Sequence, residues 1–250
     1  MKKLFGIFLL AGLVGAPVAA RAADTVDKQK LDARLENAKE TIESVMAEKD
    51  KAIPDAIARK AYCVAVVPGL INGAFIVGVE YGQGVATCRT SHGWSGPVFI
   101  RMAGGSWGFQ IGGKGTDLVL LAVNKKGMED LLQSHFKVGA DVSAAAGPVG
   151  RTAQASTDIS MRSEMLAYSR AHGLFAGVDL SGVTVSQNAE DTNGYYGDTH
   201  NFDAILNGKV PAPAGSHQFL HTISQYFGEI TPDEKEEQQV VDKPASSGQH

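Results

Sequence analysis

The sequence predicts an α+β fold: a glycine-rich, strongly curled, barrel-like antiparallel sheet with a long N-terminal amphipathic helix and two or three further packed helices. Two observations lead to this prediction. Residues 24–50 repeat apolar side chains at three- and four-residue spacing, which is the period of a helix with one buried face. Residues 62–123 break into short β-favouring runs separated by Gly, Pro, Asn and Ser, which is typical of antiparallel strands.

The N-terminal helix has one apolar face and one face with charges of alternating sign. The apolar positions are Leu31, Leu35, Ala38, Ile42, Val45 and Met46. The first interpretation is a helix that lies on the domain. The alternative is a helix on a membrane surface, although the segment lacks the Lys/Arg excess and the Trp or Phe anchors of such helices. Pro54 then suits the first turn of a short helix over residues 55–61.

Glycine is dense between residues 69 and 115, within the strand-like runs. Such glycines indicate bulges, sharp coiling or close approach of two backbones, and a curled sheet accommodates all three. Further along, the patterns predict a helix over residues 125–136 that begins at the cap residue Asn124, and another over residues 156–171. A loop over residues 191–208 leads into a short helix. Residues 217–230 place Phe219, Leu220, Ile223 and Phe227 on one helical face.

The first residues have the pattern of a secretory signal peptide: two lysines, an apolar run and the small-residue site Ala20-Arg21-Ala22. We therefore expect an exported, periplasmic protein. Its formal charge of −4 becomes more negative by three when Lys2, Lys3 and Arg21 are removed, which argues against nucleic-acid binding. The predicted organisation is a signal peptide (1–22), an amphipathic helix (23–51), a sheet domain (52–210), a linker with a short amphipathic helix (211–230) and a disordered acidic tail (231–250).

The chain has two cysteines, Cys63 and Cys88. In an oxidising compartment an even, minimal pair is consistent with one disulfide. Two buried free thiols on neighbouring strands are the alternative, because both residues lie in apolar strand-like runs. Both interpretations stay open at this point.

Two catalytic patterns overlap in the stretch AGGSWGFQIGGKG. Gly104–Gly108 satisfies G-x-S-x-G around Ser106, the pattern of a hydrolase nucleophile elbow, which needs a helix directly after the serine. The following residues alternate and are broken by glycine, so a serine hydrolase is only a minor alternative. The phosphate-loop pattern that ends at Lys114 fails because Gly115 replaces the hydroxyl residue, and a strand-like run follows.

His217 and His221 have the i, i+4 spacing of some zinc ligands. No third ligand is evident nearby, and Gln218 stands where a zinc protease needs glutamate. We therefore predict no metal, no cofactor and no catalytic residue.

Aromatic and basic side chains around the glycine-rich core are the candidate binding residues. Core packing is the default for the aromatic residues, and the alternative is a rim that contacts lipid, where the basic residues could meet a phosphate. The candidates are Trp94, Arg101, Trp107, Lys114, Arg151, Tyr195 and Tyr196.

An ordered series of motifs resembles the SYLF domain family over residues 52–210: PGLINGAFIVGVEYGQGVATCR, GWSGPVFIRMAGGSWGFQIGGKGTDLVLL, GADVSAAAGPVGR, AYSRAHGLFAGVDLSGV and NGYYG. The resemblance implies lipid binding, and it attaches no catalytic role to Ser106 or Lys114. Eukaryotic relatives bind phosphoinositides, and some bind actin. An exported protein meets neither, so only the class of lipid binding is carried over.

The leading hypothesis is a non-enzymatic periplasmic protein that binds phospholipid or another envelope lipid and associates peripherally with an envelope membrane. One alternative is a structural or protein-interaction module of the cell envelope, with the N-terminal helix used for self-association or for docking a partner. The other is a serine hydrolase that uses Ser106.

Overall fold

The computed structural model describes residues 27–48, 52–74, 76–108, 114–149, 163–171, 174–175 and 180–228. Its helices are α1 (Lys28–Met46), α2 (Asp55–Ala58), α3 (Lys125–Leu132), α4 (Ala189–Tyr196), α5 (Phe202–Leu206) and α6 (His217–Phe227). Its strands are β1 (Cys63–Ala74), β2 (Ile76–Thr90), β3 (Gly93–Trp94), β4 (Val98–Gly108), β5 (Lys114–Ala122), β6 (His135–Lys137), β7 (Ala144–Ala146), β8 (Met165–Ala171), β9 (Leu174–Phe175) and β10 (Thr184–Gln187). The predicted signal peptide and acidic tail lie outside the described residues.

The strands form one curled sheet, which confirms the predicted α+β class. Their order is β6-β10-β4-β2-β1-β5-β8-β7, with β3 paired to β2 and β9 paired to β8. Neighbouring strands are antiparallel except for β7 and β8, which run parallel. We call the end of the sheet at Cys63 the base, and the end where β1 meets β2 the far end.

The curl follows from the way the chain joins the two end strands. β6 and β7 are at opposite ends of the strand order, yet only residues 138–143, the closing loop, connect them. Eight strands laid flat would separate these ends by about 34 Å. The closing loop reaches at most about 25 Å when fully extended, and it is folded by a hydrogen bond from Gly139 N to the Val142 carbonyl oxygen. The sheet must therefore curl.

Side chains alternate between two buried clusters, one on each face of the sheet. Cys63, Ala65 and Val67 face the inner cluster, which α3 and α5 cover, whereas Val64 and Val66 face the outer cluster. Helices α1, α2 and α6 cover the outer cluster. The central strands are thus buried on both sides.

The apolar face of α1 is buried against the rest of the domain. Its residues Leu31, Leu35, Ala38, Ile42 and Val45 are at most 2% exposed and pack on the sheet and on α6. The interpretation as a helix that lies on the domain matches this arrangement, and the membrane-surface alternative does not, because the apolar face is already covered. Of the helices in the described ranges, none has the length and apolar character to cross a membrane.

Two of the strand glycines face a bulge in β1. The pairing register of β1 shifts between Val67 and Leu70, and Gly82 and Gly84 of β2 lie against this irregularity. A Cβ atom at Gly84 would stand 2.2 Å from the Val66 carbonyl oxygen. The structure therefore has the bulge and the close backbone approach that the glycine density predicts.

Cys63 and Cys88 are directly paired across β1 and β2, and a disulfide joins them inside the inner cluster. Both residues are at most 1% exposed.

Replacing both cysteines by alanine (C63A/C88A) should lower the free energy of unfolding by about 3.5 kcal/mol, because the bond closes a loop of 25 residues in the unfolded chain. Urea denaturation followed by circular dichroism measures this difference. A loss below about 1 kcal/mol would contradict the chain-entropy argument for this bond.

Three local predictions are wrong. Residues 165–171 form β8 instead of the end of a helix. Met165 is buried on one face of the strand and Leu166 and Tyr168 on the other, so no alternation of apolar and polar residues marks it in the sequence. The earlier part of that predicted helix lies outside the described residues. Residues 191–196 belong to α4 instead of a loop, since Asn188 caps the helix by accepting a hydrogen bond from Asp191 N. The helix after Asn124 ends at Leu132, and β6 starts at His135.

Candidate functional site

The outer face of the sheet continues beyond α1 toward the far end, and the described residues of this face are exposed there. Four residues that pair across neighbouring strands form what we call the apolar row: Gly115, Ile71, Tyr81 and Ala103. All four are exposed. Ile71 and Tyr81 are 54% and 45% exposed, and they are two of the three large apolar side chains at the surface of the described residues.

The row is exposed because α1 ends its coverage of the sheet nearer the base. On the same outer face Val66, Val85 and Phe99 lie beneath the helices and are fully buried. Tyr81 keeps a polar contact at its hydroxyl, which accepts a hydrogen bond from Gln83 Nε2 at 3.1 Å. Its ring is left at the surface.

A charged row lies two residues closer to the base on the same face. Arg170 pairs with Asp117 on one side of the β1 bulge, and Arg101 pairs with Gln83 on the other. Two residues along a strand correspond to about 7 Å. The apolar row is therefore flanked, one step down the sheet, by two guanidinium groups.

Each arginine of the charged row has a loose ionic partner. Arg101 Nη2 is 3.5 Å from Glu190 Oε2, and Arg170 Nη2 is 3.8 Å from Glu48 Oε1. The Asp117 carboxylate accepts a hydrogen bond from Gly69 N at 3.0 Å. These ion pairs are partly exposed, so each contributes little to stability.

Two other arginines, Arg34 and Arg89, differ from these two because short hydrogen bonds hold their guanidinium groups within the protein. Arg34 donates to Asp191 Oδ2 and to Gln83 Oε1, both at 2.6 Å. Arg89 donates to four backbone carbonyl oxygens. Within the described ranges, by contrast, neither Arg101 nor Arg170 donates a side-chain hydrogen bond that meets ordinary geometry, and the Arg170 Nε is buried without a partner there.

Three of the seven predicted binding residues pack against the core of the protein, Tyr195 as a buried residue and Trp94 and Tyr196 as partly buried ones. Trp94 Nε1 donates to the Gly228 carbonyl oxygen at 2.9 Å. Tyr195 is 5% exposed and stands edge-on to Phe99. The Tyr196 hydroxyl donates to the Pro97 carbonyl oxygen at 3.0 Å. Burial raises the pKa of both tyrosine hydroxyls, so both stay protonated.

The remaining candidates are distributed differently. Arg101 lies in the charged row. The backbones of Trp107 and Lys114 belong to β4 and β5, beyond the apolar row at the far end, while their side chains lie outside what the structure describes, as does the whole of Arg151. Ile71, Tyr81 and Arg170 were not among the candidates. The sequence offers one signal, in β2: Tyr81 and Gln83 lie two residues apart and share a strand face, so this face carries an apolar and a polar residue in turn.

Neither catalytic pattern has the geometry that its chemistry needs. The backbone of Ser106 pairs with Gly78 inside β4, and the strand continues to Gly108, where an elbow requires a helix. Lys114 begins β5. His217 and His221 are both exposed on α6. Across the described ranges, no three His, Cys, Asp or Glu side chains come together so that they could hold a metal ion.

Comparison with known proteins gives consistent matches. Residues 103–226 match the family model Ysc84, described as "Las17-binding protein actin regulator". The chain is 29% identical to Protein YSC84 of Saccharomyces cerevisiae over 205 residues, which is 80% of this chain and 44% of the yeast protein. It is 32% identical to LAS seventeen-binding protein 3 of S. cerevisiae over 183 residues (71% of this chain, 40% of that protein).

A human protein, SH3 domain-containing YSC84-like protein 1, is 29% identical over 180 residues, which is 71% of this chain and 52% of the human protein. The chain thus spans about half the length, or less, of the curated relatives it matches.

Proposed function

The chain belongs to the Ysc84 or SYLF family, and on that premise we propose that it is a non-enzymatic phospholipid-binding protein that associates peripherally with an envelope membrane from the periplasm. The observation that carries the proposal is the apolar row at the far end of the sheet. Exposed apolar side chains that lie side by side are typical of a contact surface.

The size of the row favours reversible attachment. Full burial of a large apolar side chain is worth about 1.5–3 kcal/mol, and Ile71 and Tyr81 have about half of their surface left to bury. Together they supply about 2 kcal/mol, which suits a peripheral contact shared among several groups.

The periplasmic location in this proposal rests on the predicted signal peptide. The two lysines, the apolar run and the small-residue site at Ala20-Arg21-Ala22 direct export, and the disulfide between Cys63 and Cys88 suits an oxidising environment. The acidic net charge of the chain means that apolar burial, rather than general attraction to anionic lipid, supplies most of the affinity.

A structural or protein-interaction module is the second candidate. The matched family model and a yeast relative are named for binding Las17, so a protein partner is an alternative occupant of the apolar row. The vesicle experiment below separates the two functions.

Replacing both exposed side chains by serine (I71S/Y81S) should lower the partition coefficient of the mature protein onto phospholipid vesicles about tenfold or more, because the apolar contact is lost. Vesicle flotation measures it. The matched control is Tyr62→Ser: Tyr62 is 37% exposed but lies at the base, where its backbone pairs with Ala122, so binding should be unchanged.

Each contrary result has a defined meaning. If the unaltered protein floats with no vesicle, the lipid proposal fails and the interaction module takes its place. If Tyr62→Ser weakens flotation as much as I71S/Y81S, the apolar row is not the contact surface. Ester hydrolysis that disappears in Ser106→Ala would overturn the non-enzymatic part of the proposal.

A further inference from the structure

The charged row points to a headgroup chemistry. We propose that it binds phospholipids whose headgroup carries both a phosphate and a primary ammonium group, as in phosphatidylethanolamine, an inference that rests on the proposed lipid-binding function. Three features carry it: the position of the row, the hydrogen-bonding capacity of its arginines, and the mixture of its charges.

The position matches the layering of a membrane surface. The apolar row and the charged row share the outer face, with the charged row about 7 Å nearer the base. When Ile71 and Tyr81 enter the boundary of the hydrocarbon layer, Arg101 and Arg170 come to the level of the headgroups. This arrangement favours a bilayer over a free phosphate compound as the ligand, because a free phosphate compound would leave the apolar row exposed to water.

The arginines supply the phosphate contact. Each guanidinium has a planar set of N–H donors that suits phosphate oxygens. Arg101 and Arg170 are 39% and 24% exposed at their side chains, and among the described residues these side chains are held only by ion pairs of 3.5 Å and 3.8 Å. Exchange of such partly exposed pairs for a phosphate costs little, since each contributes about 1 kcal/mol or less.

The carboxylates supply the ammonium contact. Glu190, Glu48 and Asp117 lie with the two arginines, so the row and its ion-pair partners hold three negative and two positive charges. Arg34, which donates to Gln83 of the row, is itself paired with Asp191 and leaves this balance unchanged. An anionic headgroup would meet a net negative surface on a chain whose formal charge is already −4. A zwitterionic headgroup meets both signs: its phosphate faces the arginines and its ammonium faces the carboxylates displaced from them.

The same contacts discriminate between zwitterionic lipids. A primary ammonium has three N–H donors that carboxylates accept, whereas the quaternary ammonium of phosphatidylcholine has none. The headgroup of phosphatidylglycerol carries no positive charge that could pair with the carboxylates. The expected order of binding is therefore ethanolamine first, then choline, then glycerol.

The test is flotation of the mature protein with three kinds of vesicle: phosphatidylcholine alone, and its equal mixtures with phosphatidylethanolamine or with phosphatidylglycerol. We expect the unaltered protein to partition about fivefold more strongly onto the ethanolamine mixture than onto phosphatidylcholine. R101Q/R170Q should bind all three kinds of vesicle at least about fivefold more weakly than the unaltered protein, because the phosphate contact is common to them.

The carboxylate variant E48Q/E190Q should keep its binding to phosphatidylcholine, lose the preference for ethanolamine and gain binding to the glycerol mixture. Arg59→Gln is the matched control, since it removes an exposed arginine at the base and should bind as the unaltered protein does. Thermal unfolding by circular dichroism checks that all variants are folded.

The outcomes separate this inference from the proposed function. No flotation with any vesicle would overturn the lipid-binding function itself. Flotation that is equal on all three vesicles, or that R101Q/R170Q leaves unchanged, would overturn the headgroup assignment and leave peripheral lipid binding standing.

Discussion

Replacement of Arg89 by leucine is expected to lower the free energy of unfolding by about 3–5 kcal/mol. Arg89 is 8% exposed and donates hydrogen bonds of 2.8–3.1 Å to the carbonyl oxygens of Arg59, Ala61, Phe227 and Gly228. Its guanidinium also lies 4.7 Å above the centre of the Trp94 ring.

The effect is large because the carbonyl groups belong to the ends of two helices. Arg59 follows α2 and Phe227 ends α6, and carbonyl groups at a helix C-terminus carry partial negative charge without a partner inside the helix. A leucine would leave these acceptors buried and unpaired. It would also loosen α6 from the base of the sheet, where Phe219, Ile223 and Phe227 are buried.

Urea denaturation followed by circular dichroism measures the change for Arg89→Leu. Fluorescence of Trp94 reports on the same contact, although Trp107 also contributes to the signal. Arg59→Leu is the control, because the Arg59 side chain is exposed and only its carbonyl group is used. A loss of less than about 1 kcal/mol for Arg89→Leu would mean that the helix ends are held by other contacts.

Substitution of Gly84 by alanine is expected to cost about 3 kcal/mol or more. The added methyl group would stand 2.2 Å from the Val66 carbonyl oxygen and 2.7 Å from a Val67 methyl carbon. Neither neighbour can withdraw easily, because β1 is held between β2 and β5 at this level. The strand would have to separate or change its register.

Gly197→Ala is the informative comparison for Gly84→Ala. Gly197 has a positive φ of 79° but open space around a Cβ atom, so alanine there should cost about 1 kcal/mol from backbone conformation alone. Thermal unfolding of the two variants compares steric overlap with backbone strain. Equal losses would contradict the close approach at the β1 bulge.

Signals that are local in sequence predicted the structure well. The repeat of Leu31, Leu35 and Ile42 predicted the helix and also its buried face. Asn124 predicted a helix start, and its side chain accepts the expected hydrogen bond from Gly127 N. These features depend on neighbours within one turn, so the sequence alone carries them.

Features that depend on distant packing were harder to predict. β8 carries Tyr168 on one face and Met165 on the other, both buried, so its sequence has no polar side to reveal a strand. Its misassignment as a helix also hid Arg170. A residue's place on a sheet face becomes visible only when its strand and partner are known.

The candidate site shows the same limit. Trp94, Tyr195 and Tyr196 were candidates because of their residue type, and they pack against the core as aromatic residues usually do. Ile71 and Tyr81 are exposed because α1 covers only the part of the sheet nearer the base. Where a helix stops above a sheet is a property of the whole fold.

The closing loop also limits how copies of the protein can meet when they are crowded in two dimensions on a membrane. The end strands that it joins, His135–Lys137 and Ala144–Ala146, are only three residues long. Each offers few backbone groups to a strand of another molecule, and neither can straighten without stretching the loop. At these two ends of the strand order, copies gathered at the same surface therefore have few backbone groups with which to add strands to one another's sheets.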